Sequence, residues 1–129
     1  GRHCYKSEDK ITPDSAKEFV DRMIKSSHVA MLEHGTVYLT HPVENSGSPL
    51  YSRIGTKYRE NKYSKVNYDN WGTRYITTNY RVLVENDWLD DLQYLCEPTE
   101  FHEKRTAVKF ICDRGVSHEI VRHRLAAYC

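Results

Sequence analysis

The stretch "GTVYLTHP" (35–42) decides how this chain folds, because it places β-branched and aromatic residues between a glycine and a proline. That composition predicts a strand. Ahead of it, "ITPDSAKEFVDRMIKSSH" (11–28) offers Thr12 as an N-cap and Pro13 in the first turn. Phe19, Val20, Met23 and Ile24 then share one face, which predicts a helix. Beyond it, "ENSGSPL" (44–50) reads as a loop and "RYITT" (74–78) as a second strand. Tyr80, Val84, Trp88, Leu92 and Leu95 recur at helical spacing up to Pro98, predicting a helix over 79–96 with Asn86 and Asp87 as its weak point. "RTAVKFICD" (105–113) alternates Ala107, Lys109 and Ile111 against Val108, Phe110 and Cys112, as a strand would, and a last helix starts near Ser117. With no βαβ repeat and no Gly-rich phosphate loop, the expected class is α+β: mixed helices and an antiparallel-type sheet.

A length of 129 residues suits one domain with a modest core. The 19 Lys and Arg nearly balance the 18 Asp and Glu, so attraction to nucleic acid or acidic membranes is not a property of the whole chain, and any electrostatic function must be local. No apolar run approaches the roughly 20 residues that span a bilayer, and "GRHCYKSEDK" (1–10) lacks the apolar centre of a signal peptide. A cytoplasmic location is expected. Cys4, Cys96, Cys112 and Cys129 are too far apart for a C-x-x-C motif and are expected to be thiols.

Charge is segregated locally. From Tyr51 to Tyr75 six aromatics (Tyr51, Tyr58, Tyr63, Tyr68, Trp71, Tyr75) interleave with six cations (Arg53, Lys57, Arg59, Lys62, Lys65, Arg74), against Glu60 and Asp69 alone. Such a segment can stack bases and neutralise phosphates, so single-stranded nucleic-acid binding by 51–75 is the alternative function. Tyrosines at strand spacing also pack sheets and hairpins, with lysines solvating them. Residues 85–103 carry seven acids and no Lys or Arg. His28, His34 and His41 are irregularly spaced and lack a nearby Cys pair, so no metal site is expected.

The final residues "HEIVRHRLAAYC" (118–129) read as an amphipathic helix with cations on two sides. At about 100° per residue, Val116, Ile120 and Ala127 share an arc with Val121, Leu125 and Tyr128, and Arg124 falls inside it. Glu119, Arg122 and His123 project opposite. A guanidinium in an apolar arc requires an anion, either a structural carboxylate or a ligand phosphate, whose geometry matches the arginine fork.

"RHRLAAY" (122–128), preceded by "CDRGVSHEIV" (112–121), resembles the signature of the flavin-dependent thymidylate synthases, in which Arg-His-Arg leads through a Ser to a final Arg-Tyr. "SHVAMLEHGTVYL" (27–39) is similar to that family's histidine, Glu-His pair and strand, and the two stretches occur in the family's order. The resemblance implies a homotetramer with shared active sites that converts dUMP to dTMP, taking one carbon from methylenetetrahydrofolate and hydride from NADPH through FAD. Carried over by position, Arg122, His123, Arg124, His28 and Glu33 would bind FAD, with His34 completing the Glu-His pair. Glu119 and Arg122 would lie at dUMP.

Three departures accompany it. Ala30 and Ala127 stand where the family often has Ser or Thr, and residues 43–104 look like an insertion into a single domain spanning 1–129. The chain stops inside the signature and has no initiator Met, so it is expected to be a portion of a longer protein, inactive alone, with its catalytic residues beyond 129.

Overall fold

The structure is a computed structural model that describes Thr12, residues 15–42, 49–106 and 108–122, with only the backbone of 49–53. Helix α1 (Ser15–Lys25) is followed by a 3₁₀ helix (Val29–His34) and strand β1 (Thr36–His41). Then come α2 (Pro49–Glu60), β2 (Lys65–Tyr68), β3 (Arg74–Asn79), α3 (Tyr80–Glu85), a second 3₁₀ helix (Leu89–Tyr94) and α4 (Arg114–Ile120). The α+β class therefore holds, with an antiparallel sheet of order β1-β3-β2.

Pairing of Leu39 with Ile76, and of Ile76 with Val66, stacks three apolar residues across one face of that sheet. Leu39 and Ile76 form the core together with Val37, Tyr58 and Leu83, and Val66, Ile54, Tyr80, Trp88 and Leu92 pack against it. This face is closed by a charged contact. Tyr58 Oη donates to Asp91 Oδ2 at 2.5 Å, and Lys57 Nζ meets the same oxygen at 2.5 Å while lying 4.8 Å over the Trp88 ring. Burial first, and then the Asp91 carboxylate, push the Tyr58 hydroxyl's pKa far up, so it remains a donor. The opposite face is covered by chain from 95 to 102. Phe101 stacks on Tyr75 at 4.8 Å, and Asn67 Nδ2 donates to the Phe101 carbonyl at 2.7 Å. Residues 43–104, an insertion by resemblance, thus supply β3, the central strand, and most of this core.

Two helices stop in the same way. After α1, Ser27 takes φ 56°, with His28 N–H bonded to Met23 O and Ser27 N–H to Ile24 O. After α3, Asp87 takes φ 59°, with Trp88 N–H on Leu83 O and Asp87 N–H on Val84 O. Both are Schellman caps, closed by a left-handed non-glycine residue, and each hands the chain to a 3₁₀ helix. The single helix predicted over 79–96 is therefore two pieces, broken at Asn86 and Asp87. Asn79 starts the first, its side chain accepting from Val82 N at 3.0 Å.

Three further expectations are corrected. Residues 49–60 form α2, of which 49 and 50 had read as loop and the rest as part of the tyrosine-rich segment. No strand forms among the described residues of 105–113. Alternation alone does not make a strand, which needs a partner edge, and the outer edge of β1 is partly taken: Leu39 bridges Leu95, and Cys96 N–H bonds Tyr38 O at 2.9 Å. Helix α4 begins at Arg114 rather than Ser117, because Asp113 caps it through Val116 N at 3.0 Å. Among the described residues no helix is long and apolar enough to cross a membrane.

Candidate functional site

The first cluster of expected site residues lies on the 3₁₀ helix before β1. His28 is its exposed N-cap and makes no capping bond through its side chain. Glu33 is held by the Arg81 guanidinium from α3, whose Nε also bonds Glu85 at 2.6 Å. The Glu85 hydrogen bond, opposed by partial burial and reinforced by Glu33, raises the Arg81 pKa further above its ordinary value, so the cation is permanent. Arg105 donates from Nη1 to the Glu33 carbonyl at 2.9 Å, tying the start of the C-terminal segment to this corner. His34 ends the same helix.

The second cluster is on α4. Arg114 Nε lies 3.5 Å from His118 Nε2, and Arg122 Nη1 lies 3.8 Å from Glu119 Oε1. Both members of the latter pair are about three-quarters exposed, so it contributes at most about 0.5 kcal/mol. Arg122 therefore keeps most of its donors for another acceptor. Val116 on this helix and Val121 just after it are also well exposed, as are Phe110 at 69% and Ile111 at 91% just before it. His123 and Arg124 lie outside the described residues, as does Ala127. Glu33 is thus engaged by a neighbouring helix, whereas the side-chain bonds of Glu119 and Arg122 close on α4 itself.

Two other groups stand apart from these clusters, the first of which sequence reasoning passed over. On the sheet's second face, buried His102 donates from Nε2 to Leu39 O at 3.1 Å, while Nδ1 accepts from Thr99 N at 3.0 Å and faces Thr99 Oγ1 at 2.9 Å. Those partners assign the neutral tautomer with hydrogen on Nε2. Cys96 Sγ is 3.8 Å from that nitrogen and 2.9 Å from Thr40 Oγ1. Since Nε2 carries its proton toward a carbonyl, it is no base for the thiol, and the group is a structural clasp. Cys96 and Cys112 are free thiols. No group of three or more His, Cys, Asp or Glu among the described residues is placed to hold a metal ion.

The other group is cationic. Arg74 lies where β3 pairs with both His41 and Tyr68, and its stem crosses α2 at Gly55, where an added Cβ would sit 2.8 Å from Arg74 Nε. Glycine permits that crossing. Arg74 Nη1 is buried without a hydrogen-bond partner, an omission that costs on the order of 1–3 kcal/mol. Arg59 reaches the same spot, donating to the Tyr68 hydroxyl and lying over its ring.

The architecture and these sites define an α+β protein with an exposed, cation-bearing C-terminal helix. Comparison with models of protein families, with curated proteins and with solved structures returned no match.

Proposed function

We propose that this chain belongs to a flavin-dependent thymidylate synthase, which methylates dUMP reductively with methylenetetrahydrofolate and NADPH. One observation carries the reading: Arg122-His123-Arg124 follows Glu119 at the end of the chain, and His28, Glu33 and His34 precede β1, in the order and types of that family's two motifs. The exposure of α4 supports it. Arg122 is only loosely paired, and a guanidinium with free donors suits the phosphates of a flavin dinucleotide or of dUMP. Glu119, one turn earlier on the same face, supplies an acceptor for a base or sugar donor. His28 offers an exposed ring at the 3₁₀ N-terminus. FAD, when bound, would supply the hydride relay. This chain's residues bind and orient, and the reacting groups are expected elsewhere.

The exposed apolar residues Phe110, Ile111, Val116 and Val121 are further support, since a homotetramer with shared active sites would cover them. The test is growth of a thymidine-requiring bacterial strain without thymidine. The protein carried by its complete reading frame should rescue it, Arg122→Met should not, and residues 1–129 alone should not. Failure of the well-expressed complete protein would refute the enzyme reading.

A further inference from the structure

Among the described residues β2 is the edge strand on that side of the sheet, and it is fringed with exposed aromatics instead of charges alone. Tyr63 is 54% exposed, Tyr68 42% and Trp71 88%. Trp71 is not loose at a floppy tip. Asp69 Oδ1 accepts from Trp71 N at 2.8 Å and from Thr73 N at 2.9 Å, Asp69 Oδ2 accepts from Tyr75 Oη at 3.1 Å, and Gly72 takes the φ of 83° that the turn requires. A built turn thus holds out an indole that packs on almost nothing. Cations accompany these rings: Lys62 Nζ lies 4.8 Å from the Tyr63 centroid and Arg59 Cζ 5.6 Å from that of Tyr68. Each cation lies over one ring, and both rings remain partly exposed.

We propose that this edge binds single-stranded nucleic acid, Arg59 receiving a backbone phosphate while Trp71 and Tyr63 stack bases. Charge selects the ligand. The exposed Arg59 guanidinium bonds the Tyr68 hydroxyl and meets no carboxylate among the described residues. The acid of the turn, Asp69, is occupied by three donors. Geometry selects a single strand, since partly exposed rings stack only on bases that are not already paired and stacked in a duplex. Tyr63 precedes β2 and Trp71 follows it, so the rings flank the four-residue strand and suit a ligand longer than one nucleotide. The surface is independent of the enzyme reading, and the two can fail separately.

Fluorescence anisotropy of the purified protein with a labelled oligothymidylate of about a dozen nucleotides tests it. Affinity should fall steeply between about 50 and 200 mM salt. Arg59→Met should weaken binding roughly tenfold and flatten the salt slope by about one contact. Trp71→Ala should weaken it about tenfold with the slope unchanged, and Lys25→Met on α1 should change nothing. Circular dichroism checks that the Arg59 and Trp71 variants, both at exposed positions, remain folded. Absence of salt-dependent binding, equal losses in Lys25→Met, equally tight binding of the duplex, or displacement by millimolar inorganic phosphate or dUMP would each overturn the proposal.

Discussion

The sheet unit and the C-terminal segment of this chain solve opposite problems. In the sheet unit, Leu83, Ile76 and Tyr58 are fully buried, and most polar groups around them find partners from distant sequence. In residues 108–122, Val108, Phe110, Ile111 and Val116 face outward, and the side-chain bonds of α4 are local. An apolar residue left in water contributes nothing to the stability of its own chain, so its presence is explained by what covers it. The first region packs within its own chain, whereas the second leaves its apolar side chains exposed among the described residues.

The largest effect should separate the two outright. Leu83→Ala or Ile76→Ala removes fully buried methyl groups and should cost about 2–5 kcal/mol in denaturant unfolding. Ile111→Ala and Val116→Ala should change the same measurement by less than about 0.5 kcal/mol. Equal costs would show that the C-terminal segment packs into the core.

Next in size is the Tyr58–Asp91–Lys57 contact. Asp91→Ala leaves a buried hydroxyl and a partly buried ammonium without their acceptor, for a loss of about 2–3 kcal/mol. Its pH signature has a definite sign. The Tyr58 hydroxyl is raised above its ordinary value of 10.0, so the folded state holds this proton more tightly than the unfolded one. The stability it contributes is complete below pH 10 and lost as pH rises beyond it. Tyr58→Phe should flatten that alkaline decline, which pH-dependent thermal unfolding would reveal.

A smaller change should go the other way. Thr77 Oγ1 is buried without a partner among the described residues, so Thr77→Val, which keeps the shape and the β-branch, should stabilise the sheet by about 1 kcal/mol. A loss would mean that the hydroxyl has a partner in solution, such as water.

Much of the sheet unit was legible because its signals are local: β-branched runs give β1 and β3, and apolar periodicity gives α1 and α3. Helix α2 was not, since Gly55 and the interleaved tyrosines and cations hide the i, i+4 pair Ile54 and Tyr58 that faces the core. The strand expected at 105–113 failed for the converse reason: its alternation is real, but whether an edge is free depends on Leu95 and Cys96 lying against β1. The candidate site divided similarly. Arg122 and Glu119 stand out as a motif in contiguous sequence, whereas the clasp at His102 joins residues 63 positions apart and the orphaned donor of Arg74 follows from packing. No spacing rule finds these.

Amide hydrogen exchange of the complete protein, with and without FAD, tests the contrast between the two regions most directly. The account predicts slow exchange in β1 and β3 in either state, together with FAD-dependent protection at 114–122. Protection that rises equally over the whole chain, or flavin that binds without slowing exchange at 114–122, would contradict it.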